Sequence, residues 1–266
     1  MFSVDKRLLA EIMRKNRMSL AAVPSWISDS DYRASIFQYG LPEYVRPFID
    51  GYIGDETTYS DIIAYFAKQL ARSVRYLEIG VSVGKNFVQM LHQLDFAEMV
   101  GLDIEDINPV LAGFLTQREH FEWPTIVGSL RKAPSRLTEY EFAPNKRRVR
   151  YIAGDVFDDE TWQRLAGEKF NLVFSDAYHS GDALKREWSR ISRLELIDET
   201  AFVMIWDDLD TPEMQAAFGV VTREMTARFS LTKEDVGMTR CRGWLGTREP
   251  PHTIGFAYKP SIGPQR

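Results

Sequence analysis

The 266-residue chain has a single cysteine, Cys241. One cysteine excludes an intrachain disulfide framework and a Cys-rich zinc site, and it fits a reducing, cytoplasmic setting. Long hydrophobic runs are missing too. No stretch approaches the ~20 apolar residues that a membrane span requires. Basic charge is not in excess: 33 Lys+Arg against 38 Asp+Glu leave a formal net charge of −5. Nucleic-acid binding through a broad basic face is therefore not expected. There is no internal repeat and no low-complexity block. What remains is 44% hydrophobic and 27% charged, the usage of a globular chain rather than a disordered one. The length fits one large domain, or one domain with additions.

At the N-terminus, Asp5, Lys6, Arg7, Glu11, Arg14 and Lys15 interrupt any signal-like apolar core. Val4, Leu8, Leu9, Ile12 and Met13 recur at helical spacing, which predicts an amphipathic helix. Such a helix packs on its own domain or on a partner subunit more often than on a membrane. Residues 1–70 contain no strand pattern, and Pro24, Pro42 and Pro47 divide them into short helical pieces. They read as a helical extension or lid that supports a homodimer or larger homo-oligomer. Trp26, Tyr39 and Tyr59 are lid candidates within it.

From residue 71 to 260 the texture is that of an α/β domain. Apolar runs at 75–79, 99–102, 149–153, 172–174 and 202–206 read as buried strands. Helical stripes fall at 61–70, 87–94 and 183–196. The alternation predicts a Rossmann-like, mostly parallel seven-stranded sheet with helices on both faces. Its last two strands are expected at 229–232 and 253–258. The span 104–148 is long for one crossover and reads as a helix plus an insertion before the third strand. Residues 261–266 read as a frayed tail.

Leu77-Glu78-Ile79-Gly80-Val81-Ser82-Val83-Gly84-Lys85-Asn86 ends one strand and opens a helix. Gly80 permits a tight turn and Gly84 a close approach to the backbone. The spacing Gly-x-x-x-Gly is neither the dinucleotide fingerprint nor a Walker loop, which disfavours a nicotinamide-linked oxidoreductase. Asp103 ends the next strand, where an acid can accept hydrogen bonds from ribose hydroxyls.

Glu78-Ile79-Gly80-Val81-Ser82-Val83-Gly84, Gly101-Leu102-Asp103, Gly154-Asp155 and Asp176 after a buried strand resemble the class I S-adenosylmethionine-dependent methyltransferases over about residues 57–258. The resemblance implies a cofactor site for S-adenosylmethionine along the loop from Glu78 to Asn86. It includes Gly80, Ser82, Gly84 and Asn86, with Asp103 on the ribose, Asp155 beside adenine and Asp176 near the cofactor's amine.

Two buried strands each end in acid: Phe174-Ser175-Asp176 and Trp206-Asp207-Asp208. Adjacent parallel strands would gather these carboxylates at one rim, where they repel unless something compensates. A hard cation such as Mg²⁺ is the simplest compensation. The pattern resembles the catechol, antibiotic and sugar O-methyltransferases, which implies Mg²⁺ on Asp176, Asp207 and Asp208, and a base at His179. A histidine suits deprotonation of a hydroxyl near neutral pH. Asp176 and His179 are thus the catalytic candidates, and the acceptor is a small hydroxylated molecule, best a vicinal diol.

Alternatives stay open at this point. Asp207 and Asp208 can cap the helix that begins near Thr211, His179 can be an ordinary loop histidine, and the enzyme can work without metal on oxygen, nitrogen or carbon. A non-catalytic binding module is the remaining rival. Trp123, in the insertion, is a further lid candidate, Arg242 and Trp244 are candidates for the cleft rim, and His252 reads as structural.

Overall fold

The computed structural model describes residues 4–21, 56–70, 73–82, 84–104, 106–107, 111–112, 115, 135–142, 146–243 and 251–261. In order these form α1 (Lys6–Ala21), α2 (Tyr59–Gln69), β1 (Val74–Ile79), α3 (Lys85–Gln93), β2 (Phe96–Asp103), β3 (Arg136–Phe142) and β4 (Arg147–Ala153). Then follow α4 (Asp159–Gln163), β5 (Leu172–Ser175), α5 (Gly181–Arg193), β6 (Phe202–Trp206), α6 (Pro212–Phe229), β7 (Val236–Cys241) and β8 (His252–Lys259). Trp26, Tyr39, Trp123, Trp244, most of 104–148 and the tail 262–266 lie outside the described residues.

Eight strands make one sheet, in the order β3-β4-β2-β1-β5-β6-β8-β7. The five central strands from β4 to β6 are parallel. β3, β8 and β7 pair antiparallel at the two edges. Successive side chains of a strand face opposite sides, so each central strand feeds two cores. Tyr76, Leu172, Phe174, Val203 and Ile205 face α1, α2 and α3. Leu77, Ile79, Val173, Phe202, Met204 and Trp206 face α4, α5 and α6. Burial on both faces is why these strands read as unbroken apolar runs.

The expected count of seven strands is corrected to eight. The added strand, β3, falls within the span read as helix plus insertion. Its sequence Arg-Leu-Thr-Glu-Tyr-Glu-Phe sits half-exposed at the edge, so it lacks the apolar run that marks a buried strand. Charge pairing across the hairpin, Arg148 with Glu139 and Lys146 with Glu141 at 3.0 Å, suits an edge. A second correction concerns 229–232. Phe229 is the last residue of α6, and the penultimate strand lies at Val236–Cys241.

Helix caps follow the sequence closely. Thr58 and Asp61 form a reciprocal capping box on α2. Ser180 caps α5, and Thr211 caps α6 through Met214 N. The cap of α6 is therefore Thr211, and Asp207 and Asp208 are free of that duty. Among the described residues no helix is long and apolar enough to cross a membrane.

Candidate functional site

The strand order reverses between β1 and β5, the switch point at which open α/β sheets bind ligands. Register then places the chemistry. Ile79 pairs with Ser175 and Ser175 with Trp206, so Asp176 and Asp207 leave neighbouring strands side by side. Asp103 pairs with Ala153, two residues before Asp155. All the candidate acids thus lie along one carboxyl edge.

On the β1 side the loop is tightly built. Gly80 has φ +89°, and a Cβ there would lie 2.2 Å from the Asp176 carbonyl oxygen. Only glycine lets the ends of β1 and β5 approach so closely. Gly84, at φ +82°, begins α3 in the left-handed region. Between them Ser82 also has positive φ, and its N–H donates to Asp103 Oδ2 at 2.7 Å. One carboxylate oxygen of the ribose candidate is thereby tethered to the glycine loop. Glu78 accepts from Tyr76 Oη at 2.7 Å and Asn86 Nδ2 at 3.0 Å. Burial pushes its carboxyl up to about 8. Asn86 spends its amide on this network: Nδ2 donates to Tyr76 and Glu78, and Oδ1 accepts from Ser60. Asn86 thus supports Glu78 and stays buried. Asp155 accepts from Phe157 N at 2.8 Å, shaping the loop after β4.

On the β5–β6 side three carboxylates and two imidazoles converge. His179 Nδ1 pairs with Asp208 Oδ2. His252 Nδ1 lies 3.1 Å from Asp207 Oδ2 and 3.3 Å from Asp208 Oδ1. Two groups of potential ligand atoms result, each within 4.8 Å: Asp176, His179 and Asp208, and then Asp207, Asp208 and His252. The expected trio of aspartates is thus split into two overlapping sets that share Asp208, each with a histidine added.

Electrostatics follow from this arrangement. Burial, then the charges of Asp207 and Asp208, hold the Asp176 carboxyl well above its usual range. Burial also raises Asp207, against His252. Burial acts to raise Asp208 as well, but the hydrogen bonds and charges of His179 and His252 outweigh it and hold that carboxyl well below the usual range. The hydrogen bond to Asp208 raises His179. Asp208 itself sits at φ +55°, a conformation uncommon for a side chain other than glycine and often found at functional sites.

Beneath the rim lies a cavity of about 10 Å³, lined by Asp176, His179, Glu187, Trp206 and Asp207 among others, close to the ~10–15 Å³ that one water needs. Trp206 Nε1 is buried there without a protein partner among the described residues. Glu187 accepts from Ser175 Oγ at 2.6 Å, and burial pushes its carboxyl up to about 7.

Two residues at this edge had no clear signal in the sequence. His252 reaches the acids only because β8 pairs with β6, a neighbour relation invisible before the tail strands are placed. Tyr59, read as a lid residue, is instead 6% exposed at the start of α2. Its ring stacks on Phe174 at 5.4 Å and meets the His252 ring edge-on at 6.0 Å. Arg242 accepts from Tyr59 N through its carbonyl and pairs with Glu56, so it secures the entry to α2.

No family model matches the chain, and no curated protein matches it. Solved structures do. The chain is similar to an O-methyltransferase from Bacillus cereus in complex with SAH, at 18% identity over 90% of this chain and 97% of that one, TM-score 0.46. It is similar to a 1,6-didemethyltoxoflavin-N1-methyltransferase from Burkholderia thailandensis, at 16% identity over 86% and 89%, TM-score 0.46. A spermidine synthase from Thermotoga maritima aligns at 12% identity over 78% of this chain, TM-score 0.45, and the chain spans only 60% of that protein's length. All lie below a TM-score of 0.5, so the functional reading rests on the sheet order and the site.

Proposed function

We propose that this chain transfers a methyl group from S-adenosylmethionine to a hydroxyl oxygen of a small-molecule acceptor. The observation that carries the reading is the His179–Asp208 pair at the mouth of β5 and β6, next to the Asp103-tethered glycine loop at the mouth of β1. A glycine loop tethered to an acid, beside a charge-paired histidine at the next strand ends, supplies what alkylation of a hydroxyl needs.

The residues fit the cofactor in kind. Glu78, Gly80, Ser82 and Gly84 line the loop, Asp103 is fixed at the end of β2 by the Ser82 N–H, and Asp155 follows β4 on the same edge. The bound cofactor supplies an electrophilic methyl on a sulfonium. The protein's part is orientation and proton transfer. With Nδ1 engaged by Asp208, His179 has Nε2 left to take the acceptor's proton. The acceptor's proton would pass to His179 Nε2 and from there to solvent. Asp208 steadies the imidazolium that results, the role a carboxylate plays toward a catalytic histidine in other hydrolytic and transfer sites.

The donor set also fits a divalent cation. Asp208, with Asp176 on one side and Asp207 on the other, offers the oxygen ligands that Mg²⁺ favours, and a cation there would supply a lowered pKa for a coordinated hydroxyl. A metal-free form of the same reaction has its own support, since each carboxylate pair already faces an imidazole. A vicinal diol suits the first form, and any single hydroxyl the second.

The test is calorimetry with S-adenosylhomocysteine. Wild-type protein should bind, and Asp103→Ala should bind 10-fold or more weakly, since charge-assisted hydrogen bonds contribute ~1.5–3 kcal/mol each. Absence of binding by wild type, or equal affinity of the variant, would overturn the reading. Formation of S-adenosylhomocysteine from a panel of catechols and sugar diols, with and without chelator, then separates the two forms.

A further inference from the structure

We infer that His252 is a metal ligand, and that Asp207, Asp208 and His252 form a site for a nitrogen-accepting first-row cation such as Mn²⁺ or Co²⁺ in preference to Mg²⁺. This rests on the methyltransferase reading only for its location. The ligand set itself comes from the geometry. His252 Nδ1 stands 3.1 Å and 3.3 Å from oxygens of Asp207 and Asp208. Neighbouring ligands bound to one ion at ~2.0–2.2 Å are ~3.0–3.4 Å apart, so the three donors are already at the edge lengths of a coordination polyhedron.

Rigidity separates this set from the one that contains His179. Asp207 is 4% exposed and directly follows β6. His252 opens β8, which pairs with β6. The segment after the two aspartates is bound to the same strand. Leu209 N donates to Thr253 O at 2.8 Å, and the Asp210 carboxylate accepts from both Thr253 N and Thr253 Oγ1. Asp208 N donates to Asp207 Oδ1, which fixes one carboxylate against the next residue. The Tyr59 ring borders the imidazole. By contrast, His179 lies on an exposed loop and is free to serve the acceptor with Asp176.

A second observation points to a ligand at this place. Next to Asp207, the buried Trp206 Nε1 has no acceptor among the described residues and borders a water-sized cavity that Asp207 lines together with Asp176 and His179. A water in that cavity would accept from the indole and lie against Asp207 on the inner side of the site. Imidazole nitrogen is what distinguishes the cations. Mg²⁺ is held by oxygen ligands and waters, whereas Mn²⁺ and the later divalent ions accept histidine readily.

The experiment uses the full chain freed of metal, with Mn²⁺, Co²⁺ and Mg²⁺ as separate probes in calorimetry and Co²⁺ followed also by its visible absorption. Wild type should bind Mn²⁺ and Co²⁺ at least 10-fold more tightly than Mg²⁺. His252→Ala should weaken Mn²⁺ and Co²⁺ at least 10-fold and change the Co²⁺ spectrum, while His179→Ala should move both affinities less than 3-fold. Should His252→Ala fail to fold, Mn²⁺ broadening of the wild-type histidine ring signals reports the same contact without a variant. Equal affinity for Mn²⁺ and Mg²⁺, no cation binding, or ring signals of His252 untouched by Mn²⁺ would each overturn the inference. Retained S-adenosylhomocysteine binding in the same samples would leave the proposed function standing in its metal-free form; loss of that binding in wild type is the separate failure of the function.

Discussion

Glu78 is 1% exposed, and burial pushes its carboxyl up to about 8 against the pull of Tyr76 and Asn86. In the unfolded chain it returns to ~4.3. Between those values the folded protein holds a proton that the unfolded one has released, so raising the pH favours unfolding. The loss reaches up to ~1.4 kcal/mol per pH unit while the difference persists. Glu187, pushed up to about 7, acts in the same sense over a narrower window. Asp176 and His179, both raised, act in the same sense, so Glu78 contributes one part of the slope above pH 7. Glu78→Gln keeps the polar shape without the titration, and urea denaturation at pH 7 and 8 should show a flatter dependence than wild type. An unchanged slope would mean that Glu78 is ionised in the folded state. Gly80 gives a second residue-level expectation. Gly80→Ala puts a Cβ 2.2 Å from the Asp176 carbonyl at a φ of +89°. Backbone strain alone costs ~1–3 kcal/mol, and spreading β1 from β5 also opens the site. Denaturation should show the stability loss, and calorimetry a weakened hold on S-adenosylhomocysteine.

The helices of the N-terminal region are held by a buried polar cluster as much as by their apolar stripes. Asp61 is fully buried. It accepts from Asn16 Nδ2 at 2.7 Å, from Arg17 and from Thr58 N, and so joins α1 to the capped start of α2. Gln93 of α3 completes the cluster through Asn16 and the Ile12 carbonyl. Asp61→Ala would remove the buried acceptor that Asn16, Arg17 and Thr58 N share, at a cost of ~3 kcal/mol. Loss of protection of α1 amides in hydrogen exchange, ahead of the sheet, is the expected signature; uniform loss would show that α1 is not a separable unit. The stripe of Ile12 was legible in the sequence because it is a local pattern. The central strands were legible because burial on two faces leaves mostly apolar runs, with only a few buried charges such as Glu78 and Arg150 among them. β3 and β7 were not, since an edge strand exposed on one side carries Glu139, Glu141 and Arg240 like any loop. The same limit hid His252. Its role depends on which strand pairs with β6, and nothing near residue 252 states that. The acids were legible because each directly follows an apolar run, but their partition into two histidine-bearing sets was not.

Across the whole molecule the two edges of the sheet divide the work. The carboxyl edge collects the strained and charge-crowded residues: Gly80, Ser82, Asp208 and the three carboxylates. At the amino edge Glu98 lies in register between Arg75 and Arg148. It pairs with Arg75 at 2.8 Å, Arg150 at 2.6 Å and Arg148 at 3.4 Å, while Glu168 reaches Arg75 at 2.5 Å and Arg150 at 3.1 Å. Arg150 is 3% exposed, so this network ties β1, β2 and β4 together through at least one buried charge. Removing a partner from a buried pair is costly because the remaining charge cannot return to water. Glu98→Ala should therefore lower unfolding free energy by about 3 kcal/mol. The variant's affinity for S-adenosylhomocysteine should stay within about twofold, because the strands run their full length between the network and the cradle and sites that share no partners act nearly independently. Asp103→Ala should do the reverse, losing affinity with little change in stability. Equal loss of affinity in the two variants would show that the sheet transmits strain from one edge to the other, and the division of labour between the edges would fail.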